Sequence, residues 1–136
     1  MVSFEIIEHT ADVGISATGT SAAEVFEQMA LGLFDILGAW QPGDGGDQVT
    51  LELEANDLGG LMVDWLNEVL YVQDARDVVF TDVKVDSVTD RSLTGTLRTL
   101  PREGELDGTA VKAITFHGLS VEQAADRWTA RVYVDV

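Results

Sequence analysis

Hydrophobic side chains recur along this chain with two periods, and each period predicts a different kind of element. Ser3 to Glu8 is short and rich in strand-forming residues, and Val13, Ile15 and Ala17 alternate with smaller or more polar residues up to Gly19. Two strands are predicted there, joined by the polar connection His9-Thr10-Ala11-Asp12. Ser21-Ala22-Ala23-Glu24 has the form of a capping box, in which a hydroxyl and a carboxylate satisfy free N–H groups at a helix start. The period then lengthens. Val25, Met29, Leu33 and Ile36 form one helical stripe, widened by Phe26 and Leu37, with Gly38 near its stop.

After a flexible loop over Gln41 to Asp47, the strand period returns in Val49, Leu51 and Leu53. Asn56 or Asp57 caps a second predicted helix, where Leu58, Leu61, Trp65, Val69 and Val72 hold the stripe and Met62, Leu66 and Leu70 broaden it. From Val78 to Leu100 the β-branched content rises, and Thr89-Asp90-Arg91-Ser92 offers the turn of a hairpin. Pro101 to Glu105 breaks the pattern. Two last strands are predicted, Val111 to Leu119 and Trp128 to Val136, separated by Ser120 to Arg127. In the last one Trp128, Ala130, Val132 and Val134 face one way, and Arg131, Tyr133 and Asp135 the other. Two helices among about seven strands with short hairpin connections predict an α+β fold. The expected form is a two-layer sandwich, a mainly antiparallel β-sheet with two α-helices packed on one face. A doubly wound parallel sheet is disfavoured, because the second half of the chain supplies no helix between its strands.

Composition narrows the chemistry. The chain of 136 residues fits one domain, 1–136, with no internal repeat. It contains no Cys, which excludes a disulfide, a thiol nucleophile and Cys-ligated zinc or iron–sulfur clusters. Asp plus Glu number 24 against 8 Lys plus Arg, a formal charge of -16. That field repels phosphate backbones, so stable direct nucleic-acid binding is not expected, and it favours a basic protein partner or a metal cation. An acidic, salt-adapted proteome would explain the same balance without any partner. Neither a basic-then-apolar leader nor a membrane-length apolar run is visible, so the expected location is the cytoplasm.

No Gly-rich phosphate loop, Gly-x-Ser-x-Gly elbow or His-Glu-x-x-His pair is present, which weighs toward a binding or activating protein over an enzyme. A few residues still carry possible chemistry. His9 and Asp12 lie in a connection where side chains can converge on a ligand, or else Asp12 simply caps its own turn. Asp135 is penultimate, so its side chain and the α-carboxylate of Val136 lie close enough to chelate one cation, or else form a solvated, frayed end. Joined by Asp12, they make an all-oxygen donor set suited to calcium or magnesium, with a transition metal such as manganese admitted if His9 takes part. Lys112 and His117 have opposite parity in their predicted strand and need not share a site. Lys112 is open to a phosphate, a carboxylate or an ordinary edge-lysine role, and His117 to a general-base or a turn role. Asp64, Asn67 and Glu68 form either the solvated side of the second helix or a partner surface.

Four segments together resemble the archease family: Ile6 to Ile15 with its His9-Thr10-Ala11-Asp12; Leu61 to Tyr71 with Trp65-Leu66-Asn67-Glu68; Val111 to Leu119 with Lys112-Ala113-Ile114-Thr115; and the closing Val132 to Val136. The resemblance runs nearly end to end. It implies a small α+β protein that is not itself a ligase but a cofactor of an RtcB-type RNA ligase. Such a cofactor promotes GTP-dependent guanylylation of the ligase, and its multiple turnover, in tRNA splicing or RNA repair. It further implies a divalent metal ion, foremost calcium, held at Asp12, Asp135 and Val136, a functional lysine at Lys112, and His9 close by. One departure is Gly59-Gly60, where the family pattern leads one to expect Glu-Gly; adjacent glycines weaken a helix start or let it pack closely against a neighbour. Two other classes stand beside this reading, a chaperone-like module for RNA- or DNA-modifying enzymes and, last, a small metal-dependent phosphohydrolase.

Overall fold

A computed structural model describes residues 2–9 and 12–136; at Glu8, His9 and Asp12 it describes the backbone alone. Seven strands and two helices follow in the order β1 (Ser3–His9), β2 (Asp12–Gly19), α1 (Ala22–Leu37), β3 (Asp47–Glu54), α2 (Leu58–Arg76), β4 (Val78–Val88), β5 (Ser92–Pro101), β6 (Ala113–Ala124) and β7 (Arg127–Asp135). The fold is α+β, as the periodicities predict. Its strands divide between two antiparallel sheets, β1-β2-β7-β6 and β3-β5-β4.

The helix ends form for the reasons legible in the sequence. Ser21 Oγ accepts the Glu24 N–H at 3.1 Å, while the Glu24 carboxylate takes the Thr20 N–H at 2.7 Å and the Thr20 hydroxyl. The hydroxyl bond, ahead of the backbone ones, holds the Glu24 carboxyl below its ordinary pKa. Gly38, at φ 69°, closes α1 in the left-handed region that glycine enters without strain. Asp57 is the cap of α2, its Oδ1 accepting the Gly60 N–H at 2.7 Å.

Each helix touches both sheets. α1 packs on β1, β2 and β7 of the larger sheet and on β4 of the smaller one, and α2 packs on β6 and on all three strands of the smaller one. Their contact is pinned by Trp65, fully buried, whose Nε1–H donates to the Phe26 carbonyl at 3.0 Å and so brings no unsatisfied polar group into the core. Phe34 stacks on Phe80 at 4.2 Å, tying α1 to β4. The core face of the larger sheet is made by Ile15 and Ala17 of β2, Ile114 of β6, and Ala130, Val132 and Val134 of β7, all buried as the alternation requires.

The expected break over Ser120 to Arg127 is shorter than its polarity suggests. β6 runs on to Ala124, and only Ala125-Asp126 turns into β7. Glu122 and Gln123 sit on an exposed stretch of an edge strand, where polar side chains are tolerated on both faces. β6 is also irregular. Its register passes from Thr115 opposite Tyr133 to Ser120 opposite Arg131, so residues 116–119 bulge out against Val132 alone.

Candidate functional site

Strand register gathers the candidate residues. β2 and β7 pair with Val13 opposite Val134, β1 and β2 with His9 opposite Asp12, and β6 and β7 with Ala113 opposite Asp135. Positions 9, 12, 135 and 113 therefore close one end of the larger sheet. The Lys112 N–H donates to the Asp135 carbonyl at 2.7 Å, which fixes that residue to the same end. The side chains of His9 and Asp12 lie outside the described residues, as do Thr10 and Ala11, so only the backbone of the first two is placed. Asp135 and Val136 are exposed, and among the described residues no cluster of three or more His, Asp or Glu side chains stands ready to hold a metal. Carboxylates at 135 and 12 are oxygen donors of the kind a hard divalent cation takes, and register brings their main chains to the same end.

Lys112 and Asp135 share an end but not a side. Asp135 has the parity of Tyr133 and Arg131, away from the core face of Val134 and Val132, whereas Lys112 lines a groove beside α2. No ion pair joins them among the described residues; the link is main chain. Lys112 also precedes β6, which begins at Ala113 and not at Val111 as predicted. His117 is exposed in the bulge, its ring 6.3 Å from that of Tyr133, and because Lys112 precedes β6 and residues 116–119 are bulged, strand parity does not relate the two. The bulge is fastened by Arg131, whose Nε donates to the Gly118 carbonyl at 3.3 Å, and by Gly118 itself at φ 69°. It turns Phe116 outward, 65% exposed.

Of the three polar residues considered on α2, Asn67 is structural. Its Oδ1 accepts the Ile114 N–H at 3.1 Å, supplying at the start of an edge strand a partner that no neighbouring strand provides. Gly59 serves the same packing: a Cβ there would lie 3.0 Å from Leu119 Cδ2, so the first turn of α2 lies close on β6. Asp64 is exposed and Glu68 half-buried.

The groove holding Lys112 escaped sequence reasoning. It measures about 620 Å³ and lies between α2 and the strap 102–112, which has no regular secondary structure. Three anchors hold the strap. Arg102 pairs with Asp77 at the α2 C-cap through Nε–Oδ1 at 2.7 Å and Nη2–Oδ2 at 3.2 Å, and this guanidinium holds the Asp77 carboxyl below its usual range. Mid-strap, the Thr109 N–H donates at 2.7 Å to the Ile36 carbonyl, one of the groups left free at the end of α1. Lys112 to Asp135 is the third. Gly108 permits the second anchor, since a Cβ there would press into the backbone of Ile36, Leu37 and Gly38. The one signal in the sequence was Tyr71, a large aromatic lying off the apolar stripe of α2, and it is 65% exposed on the groove.

The model of the Archease protein family matches residues 4–136. The chain belongs to the archease family. A protein archease of Methanosarcina barkeri is 33% identical to this archease-family chain, over 98% of this chain and 95% of that one. A protein archease of Pyrococcus furiosus is 34% identical over the whole of both. Among solved structures, protein 1598 of Methanobacterium thermoautotrophicum superposes with a TM-score of 0.82 at 32% identity, over all of each chain. An archease of Thermotoga maritima, described as a possible chaperone, gives 0.60 at 19% identity, over 96% of this chain and 94% of that one, and supports the fold alone. No helix among the described residues is long and apolar enough to cross a membrane.

Proposed function

We propose that this archease-family protein is a cofactor of an RtcB-type RNA ligase, acting in the cytoplasm to promote GTP-dependent guanylylation and repeated turnover in tRNA splicing or RNA repair. In this reading Asp12, Asp135 and Val136 hold a divalent cation, calcium foremost with magnesium or manganese as alternatives, and Lys112 is a functional residue at the same sheet end, on its other side. The observation that carries the reading is the register that brings positions 12, 112, 135 and 136 to one sheet end, in a chain matched by the family model almost throughout. The cation supplies positive charge at a tip of a strongly acidic protein. The chain's own residues hold that tip: β2 and β7 set the main-chain positions of its acidic residues, and the Lys112 N–H fixes the main chain of Asp135. An acidic activator of this kind is drawn to a basic, phosphate-handling partner and needs no nucleophile of its own.

The test is guanylylation of the ligase from the same source, with and without this protein, at limiting metal. Acceleration is expected from the parent protein, with a loss of at least tenfold for Asp12→Ala and Asp135→Ala. Undiminished acceleration by both variants removes the cation end from the function. Acceleration that survives a short extension beyond Val136 removes that residue alone. A second reading, a chaperone-like module with metal-independent binding to several enzymes, is favoured by the description of the Thermotoga maritima structure. It gains if the parent protein accelerates nothing. Phosphoester turnover by the isolated protein, lost in Asp12→Ala, would point instead to a hydrolase.

A further inference from the structure

We propose that the groove between α2 and the strap is a docking site for a cationic segment of a partner protein, one that carries an apolar side chain flanked by Arg or Lys. This rests on the ligase-cofactor reading for the identity of the partner, and it adds the surface that holds the partner away from the cation end.

The groove has the makeup of a peptide seat. Its floor is apolar, from Leu70 of α2 and Leu106 and Val111 of the strap, and Tyr71 stands 65% exposed on its rim. A large aromatic left in water beside an open apolar trough loses little mobility on binding and buries much surface, which is the property of an interface anchor. Charge selects the occupant. The protein carries a formal charge of -16. Asp74 lines the groove on α2, and Glu103, Glu105 and Asp107 are exposed on the strap that forms the opposite wall. Arg102, the strap's own arginine, hydrogen-bonds Asp77 and attracts Glu105, and among the described residues no ion pair engages Asp74, Glu103 or Asp107. An anionic segment is repelled here and a basic one attracted.

Polarity along the groove sets direction. Lys112 is the lining cation and marks the end joined to Asp135 through the main chain. The occupant's Arg or Lys side chains therefore lie toward Asp74 and the strap carboxylates, and its carbonyls or a carboxylate toward Lys112. A partner gripped in this way has the next part of its surface at the cation end, so binding and activation fall on adjacent but separable features. Affinity comes from the groove, and the effect on the reaction from the sheet end.

The experiment titrates the 15N-labelled full chain with two capped synthetic hexapeptides, Arg-Arg-Leu-Leu-Arg-Arg and Glu-Glu-Leu-Leu-Glu-Glu, and in parallel measures calorimetric affinity for the RtcB-type ligase of the same source. The variants are Tyr71→Ser and Asp74→Lys, both at exposed positions where the fold is retained. Expected are amide shifts at Leu70, Tyr71, Val111 and Lys112 with the basic peptide and none with the acidic one. Ligase affinity is expected to fall at least tenfold in each variant. If the ligase binds the parent and both variants equally, the groove proposal is overturned and the cofactor reading survives. If the ligase does not bind the parent while the basic peptide still maps to the groove, the cofactor reading fails and the groove stands. Peptide shifts elsewhere or nowhere, with no ligase binding, remove both. Concentration-dependent shifts at the groove without any peptide would assign it to a second copy of this chain and also overturn the proposal.

Discussion

Replacing Gly108 by alanine should detach the strap, and the size of the effect follows from the contacts it breaks. The added Cβ meets main-chain atoms of Ile36, Leu37 and Gly38, which have no rotamer with which to yield, so the strap must move off the end of α1. Moving it breaks the 2.7 Å bond from the Thr109 N–H to the Ile36 carbonyl, a loss of about 1 kcal/mol. It also uncovers Leu106, half-buried against the core, and forfeits about half of the roughly 1.5–3 kcal/mol of a fully buried leucine. Together these give about 2 kcal/mol. With roughly 2.1 cal/mol/K of unfolding entropy per residue, 136 residues carry about 0.29 kcal/mol/K, so Tm falls by about 7 °C. The control is Gly43→Ala, where a Cβ meets nothing within 4 Å and φ is not positive. There the unfolded chain loses freedom, and the change is neutral or stabilising by up to about 1 kcal/mol. Thermal melts by circular dichroism at pH 7 compare the two directly. A Gly108→Ala protein that melts within about 2 °C of the Gly43→Ala control, on the entropy just given, would refute the strap contact and the energetics built on it.

Two further predictions probe other contacts. Asn67→Ala leaves the part-buried Ile114 N–H without its acceptor and should cost about 1–2 kcal/mol by denaturant unfolding, whereas Asn67→Asp, which keeps an oxygen there, should cost less; equal costs would count against the bond. Glu27 is half-buried with its carboxylate accepting the Val85 N–H at 2.7 Å, and burial, outweighing that bond, raises its pKa above the ordinary 4.5. The folded state then binds the proton more tightly than the unfolded one, so this group's contribution is full below about pH 4.5 and is lost as pH rises through the raised value. Glu27→Gln keeps the acceptor and removes the charge, so it should gain stability relative to the parent between pH 4.5 and neutrality, and a constant difference across that range would contradict the assignment.

What could be read from the chain was mostly local. Ser21, Gly38 and Asp57 announce helix ends because capping is settled within a few residues, and the Thr89–Ser92 turn announces its hairpin for the same reason. The alternation of Ala130, Val132 and Val134 gave the buried face of β7 correctly. Partition into two sheets was not legible, since it depends on β2 finding β7 across more than a hundred residues, and no short-range pattern encodes that pairing. The polarity of Glu122 and Gln123 concealed a strand because an edge strand needs only one buried face at most. At the site, residue types pointed to Asp135 and Lys112, but their division between the two sides of the sheet end came from register and from the strap. Asn67, read as solvated side or partner surface, also supports β6, a role that a bond between distant segments hides from sequence.

The place of β7 between β2 and β6 governs the order of events during synthesis. β1 and β2 are neighbours in sequence and can close as a hairpin early, but the strand that covers the other edge of β2 is translated more than a hundred residues later. At roughly 5–20 residues per second the interval between β2 and β7 lasts about 5–20 seconds. Throughout it β2 presents an unpaired edge, although the smaller sheet and both helices are complete in sequence once Pro101 has been added. A nascent chain arrested before Arg127 thus lacks the strand that joins β2 to β6, and with it the sheet end proposed for function.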